Sequence, residues 1–148
     1  MSAVFHEYVT SQENLTKTMI AHKILLVDDD ADDQTFFLDA IQAIDKPVYC
    51  EVANNGIEAI EHLEKTPPPP SLIFLDLNMP MMSGYECLEK IKKIQGFKEI
   101  PVIIFTTSSS AKDKERTQKL GAKMFLTKTS NLRELRSQLS EIIGDELR

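Results

Sequence analysis

The sequence predicts an α/β protein built on a doubly wound, five-stranded parallel sheet with helices on both faces. Three observations predict it. Short apolar runs and segments of helical periodicity alternate five times between Lys23 and Ile143. The runs "KILLV", "SLIFL" and "PVIIF" are apolar without a break, as strands buried on both faces are. Strand-helix alternation implies right-handed crossovers, and such sheets hold ligands beyond the carboxyl ends of their strands, where acids, hydroxyls and a lysine stand here.

Residues 1–20 are polar with scattered apolar positions and read as an N-terminal extension; residues 21–148 read as one domain. "KILLV" is the first strand and ends in Asp28-Asp29-Asp30. In "DDQTFFLDAIQAI", Phe36, Phe37, Ala40, Ile41 and Ile44 mark one face of a helix. "VYCEVA" is rich in strand formers, and Asn54-Asn55-Gly56 turns the chain into a helix carrying Ile57, Ile60 and Leu63. Pro67 to Pro70 read as a stiff connector that stops that helix before "SLIFL", the third strand. The next helix is expected through Cys87, Leu88, Ile91 and Ile94. "PVIIF" is the fourth strand, and "SAKDKERTQKL" is a polar helix closed by Gly121. "KMFLT" is the fifth strand. The last helix runs through Leu132, Leu135, Leu139, Ile142 and Ile143, with Gly144 as its stop.

Composition narrows the function. The 148 residues are 42% hydrophobic, enough for one sizeable core, and the net charge of −6 argues against a nucleic-acid partner. No apolar run approaches the ~20 residues that span a bilayer, and no signal peptide is visible. A soluble cytoplasmic protein without membrane contact is expected. Cys50 and Cys87 lie in apolar segments and read as buried reduced thiols.

The strand ends carry the chemistry. Asp28 and Asp29 follow strand one, Asp76 follows strand three, Thr106 ends strand four before Thr107 and Ser108, and Lys128 follows strand five. A parallel sheet brings these ends to one edge. Two carboxylates ~4 Å apart repel by roughly 4 kcal/mol at an effective dielectric of about 20, so the group needs a cation. An all-oxygen set suits Mg²⁺ and, lacking His and Cys, does not suit zinc. A carboxylate beside Mg²⁺ can attack phosphorus and form an acyl phosphate, with Lys128, Thr106 and backbone N–H groups after Asp76 sharing the charge. Asp30, Asp32 and Asp33 stand where a helix N-terminus welcomes negative charge and are assigned to that role. Met79-Pro80-Met81-Met82 reads as loop and packing. Phe125 is open between plain strand packing and a switching role.

"KILLVDDD", "IFLDLNMPMMSGYE", "PVIIFTTS" and "FLTK" together resemble the response-regulator receiver domains of two-component signalling, over residues 22–144. The resemblance implies the flavodoxin-like strand order 2-1-3-4-5 and phosphorylation of Asp76 by a sensor histidine kinase. It implies a Mg²⁺ site with Asp29 as direct ligand, Asp28 acting through water, and Asp76 and the backbone carbonyl of Asn78 completing it. Thr106 matches the switching hydroxyl and Lys128 the phosphate-contacting lysine. Catalytic turnover is not implied, only slow self-dephosphorylation. Two positions depart from the pattern. Thr129 stands where a proline with a cis bond is usual; since a cis bond before a non-proline costs ~2.5–4 kcal/mol, this loop is expected to be trans or strained. Phe125 stands where tyrosine is frequent. "FLDLNMPMMSGYE" and "FLTKTSNLREL" look most like single-domain receivers that partner phytochrome histidine kinases. No output domain is expected after Arg148, so the signal would leave through a downstream protein or phosphorelay partner. A homodimer through the fourth helix, fifth strand and fifth helix is expected.

Two other readings fit less well. Haloacid-dehalogenase-type phosphatases also use an aspartyl nucleophile, but their D-x-D pattern needs a general acid where Asn78 stands. A flavodoxin would need a phosphate loop after strand one, where Asp28 to Asp30 would repel phosphate.

Overall fold

The computed structural model describes residues 21–147. Its elements alternate strictly: β1 (His22–Val27), α1 (Ala31–Gln42), β2 (Val48–Ala53), α2 (Gly56–Lys65), β3 (Leu72–Leu75), α3 (Gly84–Ile91), β4 (Val102–Thr106), α4 (Ala111–Lys119), β5 (Met124–Thr127) and α5 (Leu132–Glu146). The five strands are parallel in the order β2-β1-β3-β4-β5, as the resemblance implied.

Burial follows the sequence pattern. Every side chain of β3 and β4 is buried, because helices cover both faces of the sheet's centre. β2 and β5 are edge strands and only partly buried. The sheet divides the core in two. One half packs Leu25, Val27, Ile73, Leu75 and Ile104 against Leu63 of α2 and Leu88 and Ile91 of α3. The other packs Ile24, Leu26 and Ile103 against Phe37 of α1 and Leu135 and Leu139 of α5. Phe37, Phe74 and Phe105 centre this second half with ring centroids 4.9, 5.5 and 6.3 Å apart. Full burial of one such side chain contributes roughly 1.5–3 kcal/mol.

Each helix start is capped by a side chain. Asp30, Asn55, Ser83, Ser110 and Asn131 each accept the backbone N–H three residues on. Two expected helix ends move. α3 stops at Ile91, short of the expected Ile94, because the chain tightens into turns there, with the Lys93 and Ile94 N–H groups donating to the carbonyls of Lys90 and Ile91. Gly144 does not stop α5. The helix continues to Glu146, and the Leu147 N–H donates to the Ile143 carbonyl while the Leu147 side chain stays in the core. The cis peptide among the described residues is Pro67–Pro68, so the Lys128–Thr129 bond is trans. Cys50 and Cys87 are both free thiols; Cys87 is buried and Cys50 half-buried, and burial pushes each up to about 12. The N-terminal extension lies outside the described residues. Among the described residues no helix is long and apolar enough to cross a membrane.

Candidate functional site

The strand register assembles the site. Val27 of β1 is paired with Leu75 of β3, so the next residues, Asp28 and Asp76, leave the sheet side by side. Thr106 of β4 is paired with Thr127 of β5, which places Lys128 one residue beyond the same edge. The backbone fixes these ends further. The Asp28 N–H donates to the Ala53 carbonyl at 3.0 Å, the Asp76 N–H to Val27 at 3.0 Å, and the Lys128 N–H to Thr106 at 2.6 Å.

Asp28 and Thr106 are fully buried and Asp76 is 6% exposed. Carboxylate oxygens of Asp28, Asp29 and Asp76 all lie within 4.8 Å of one another. Lys128 Nζ stands between the acids, 2.8 Å from Asp28 Oδ2, 3.3 Å from Asp76 Oδ2 and 2.8 Å from Asp33 Oδ2. The N–H of Asp30 donates to Asp28 Oδ1 at 3.0 Å, and the N–H groups of Asn78 and Leu77 donate to the Asp76 carboxylate. Burial raises the Asp28 and Asp76 carboxyls above their ordinary value, opposed by Lys128. Burial works against the Lys128 charge as well. The close contacts with Asp28 and Asp33 and the charges of Asp76 and Asp28 outweigh it, and hold Lys128 above the usual lysine range.

Three carboxylates with one ammonium remain a net negative, oxygen-only set. That donor chemistry fits a hard divalent cation with room for waters, and the group holds neither His nor Cys. Asp29 is the exposed member and faces solvent, whereas Asp28 is walled in.

Thr106 leads to a second polar group. Ser108 Oγ donates to Asp113 Oδ2 at 2.6 Å, and the Tyr85 hydroxyl donates to Asp113 Oδ1. Arg116 stacks over the Tyr85 ring at 3.8 Å. Thr127 Oγ1 donates to the Ser108 carbonyl at 2.8 Å. The β4–α4 loop is thereby tied to both α3 and β5. Phe125 packs, half-buried, against the core, with Lys114 Nζ 5.8 Å above its ring. Thr129, in the position where proline is usual, donates through Oγ1 to Glu134 and accepts the Asn131 N–H, so a polar turn replaces the proline.

The structure thus brings together Asp28, Asp29, Asp76 and Lys128, with Thr106 at the same edge. Asn78 follows Asp76 and meets it through its N–H. The helix-end reading holds for Asp30, whose Oδ1 caps α1, and is incomplete for Asp33, which also pairs with Lys128. Sequence reasoning missed Gly84 as well. A Cβ there would meet the Asp76 carbonyl oxygen at 2.2 Å and the Leu77 Cα at 2.6 Å, so only glycine lets α3 lie against the loop that carries Asp76. A small residue opening a helix shortly after an acid at a strand end was the available signal. The Tyr85–Asp113–Ser108 group left none, because Tyr85 lies 28 positions from Asp113 and only the fold brings it to the β4–α4 segment.

Comparison with known proteins gives a consistent picture. A family described as the response regulator receiver domain matches residues 24–140. Response regulator Rcp1 of Synechocystis sp. is 32% identical over 117 residues, covering 76% of this chain and 80% of that protein. The chain spans 57% and 56% of the length of two further curated relatives. Among solved structures, the phosphorylated cyanobacterial phytochrome response regulator RcpA superposes with a TM-score of 0.79 at 30% identity, covering 86% of this chain and 94% of that one. The Mn²⁺-bound form of Rcp1 superposes with a TM-score of 0.74 at 30% identity, covering 83% and 92%.

Proposed function

This chain belongs to the response regulator receiver domain family, and from that premise we propose that it is a phosphoacceptor switch whose acceptor is Asp76. The convergence of Asp28, Asp29, Asp76 and Lys128 at one sheet edge carries this reading. A carboxylate oxygen of Asp76 attacks the phosphorus of a phosphohistidine on a sensor kinase. The new O–P bond forms as the N–P bond breaks, and the imidazole, protonated on its other ring nitrogen, leaves as the neutral ring with that electron pair. The Leu77 and Asn78 N–H groups hold the Asp76 carboxylate in position. Lys128 takes up charge on the transferred group, and the buried Thr106 hydroxyl stands at the same edge to respond to it. Mg²⁺, held by Asp28, Asp29, Asp76 and the Asn78 carbonyl, would neutralise charge on the phosphoryl oxygens. The kinase is of phytochrome type in this proposal, supported by the similarity to Rcp1 and to the phytochrome response regulator RcpA.

Intact-mass measurement after incubation with acetyl phosphate and Mg²⁺ tests the acceptor. One added phosphate is expected in the native protein and none in Asp76→Asn. A phosphate that persists in that variant assigns the acceptor elsewhere, and continuous turnover would mark a phosphatase.

The output surface is proposed to be the face of α4, β5 and α5, serving a homodimer and a downstream protein or phosphorelay partner. A concavity lined by Lys114, Thr117, Ala122, Met124 and Phe125 lies on it and supports the choice. Sedimentation at micromolar protein, with and without a phosphoryl mimic, should show a dimer; a strict monomer in both states removes the claim.

A further inference from the structure

Asp33 stands outside the three-acid set, yet it reaches the centre of the site. It is the third residue of α1. Its backbone N–H is taken by the cap, donating to Asp30 Oδ1 at 3.0 Å. Its carboxylate is free of capping duty, and Lys128 Nζ donates to its Oδ2 at 2.8 Å. That is as close as Lys128 comes to Asp28, and closer than the 3.3 Å to Asp76. The pair walls one side of a cleft of about 400 Å³ that is also lined by Asp32, Phe36, Thr107 and Thr129.

An ammonium has three protons to donate. Three carboxylates surround this one: Lys128 donates to Asp33 and Asp76 and pairs by charge with Asp28, whose Oδ2 accepts no hydrogen bond, so a phosphoryl oxygen has to compete for the ammonium. One partner has to yield. Asp28 is wholly buried, and stripping its cation would leave a bare charge in the interior. Asp76 is the group that receives the phosphoryl. The Asp33 side chain is 40% exposed, against 10% for Lys128. Water can replace its lost partner, and the N-terminus of α1 continues to favour its charge.

We propose that Asp33 is a positioning residue that holds Lys128 in the unphosphorylated protein and competes with the phosphoryl group for it. The inference rests on the phosphoacceptor reading above. Its consequence is a site whose affinity for phosphoryl oxygens is set lower than the Asp76–Lys128 geometry alone would give.

Beryllofluoride with Mg²⁺, a non-covalent phosphoryl mimic, tests this in a ¹⁹F NMR titration of the full chain. Asp33→Asn keeps the shape and removes the charge, and should bind the mimic about two- to five-fold tighter, the scale of a partly exposed ion pair. Asp33→Glu keeps the charge and should stay near the native affinity. Asp32→Asn removes the same charge from the same helix end without touching Lys128, and should change affinity much less. The advantage of Asp33→Asn should shrink at about 1 M salt, where an exposed pair is screened. Unchanged or weaker binding in Asp33→Asn overturns the inference, and so does equal tightening in Asp32→Asn. Failure of the native protein to bind the mimic would sink the phosphoacceptor reading and this inference with it.

Discussion

The two halves of the site are held by different forces. Asp28 and Asp76 end strands whose neighbours Val27 and Leu75 are fully buried and paired to each other in the sheet. Thr106 ends a buried strand as well, but the chain beyond it enters α4, which buries a single residue, Thr117. What holds that loop and helix is a set of side-chain polar contacts: Ser108 and Tyr85 to Asp113, and Arg116 over the Tyr85 ring. Apolar burial of the strand-end floor is worth several kcal/mol per element, whereas the polar contacts at the rim centre on a solvent-screened carboxylate and contribute less. The acids are therefore fixed, and the segment that follows Thr106 can move at small cost. The proposed switch needs both: a rigid acceptor and a cheap response.

The largest effect that breaks this contrast should come from Gly84→Ala. The added methyl group would meet backbone atoms of Asp76 and Leu77, which cannot turn aside as a side chain could. We expect a loss of about 3 kcal/mol in urea unfolding, together with slower phosphorylation of Asp76. A loss below about 0.5 kcal/mol would show that the floor is far more pliant than its burial implies.

The second effect has the opposite sign. Asp28 is a buried acid whose carboxyl is raised by burial, so the folded protein disfavours its charge. Asp28→Asn removes that charge and keeps the shape. In metal-free buffer it should raise stability by about 1 kcal/mol. It should also weaken Mg²⁺ binding, because the oxygen set loses an anionic member. Isothermal titration and chemical denaturation check the two halves separately. A stability loss would mean that the ion pair to Lys128 outweighs the cost of burial, and that the floor is held electrostatically after all.

How far the sequence carried the picture follows the same division. The strands and the gathering of Asp28, Asp29, Asp76, Thr106 and Lys128 were legible, because apolar runs mark the central strands and a parallel sheet brings the residues after each strand to one edge; the strand order came only with the resemblance to receiver domains. Residue roles resting on three-dimensional approach were not legible. Asp33 sits one helical turn from the acid pair and looked like helix-end charge until the fold brought Lys128, 95 positions on in the chain, to its carboxylate. Gly144 misled in the other direction. Glycine stops helices often, but here Leu147 has a buried place that continuing the helix lets it reach. Phe125 was legible only as an open choice between strand packing and a switching role, because switching depends on motion that sequence pattern does not encode.

The smallest effect sharpens the rim. Asp113 is held below its ordinary 3.8, first by the Ser108 hydrogen bond and then by that from Tyr85. Its contribution to stability is therefore present above pH 3.8 and is lost as pH falls through the lower folded value. The Tyr85 phenol is held above its ordinary 10.0, first by burial and then by Asp113. Its contribution is present below pH 10.0 and is lost as pH rises through the higher folded value. Between those limits both groups keep the protonation states that the contact needs, so the rim tie persists across neutral pH and is not itself a pH sensor. Asp113→Asn tests the coupling. Removing the carboxylate charge should move the Tyr85 titration, followed by ¹³C NMR of the labelled ring, toward lower pH. Burial is the larger cause and stays, so the midpoint should remain raised. The α4 amides should exchange roughly threefold faster in the same variant, while those of β1 and β3 keep their protection. An unmoved Tyr85 titration would separate the phenol from Asp113 and leave α4 without its tie to α3. Equal loss of protection in β1 and β3 would erase the difference between floor and rim.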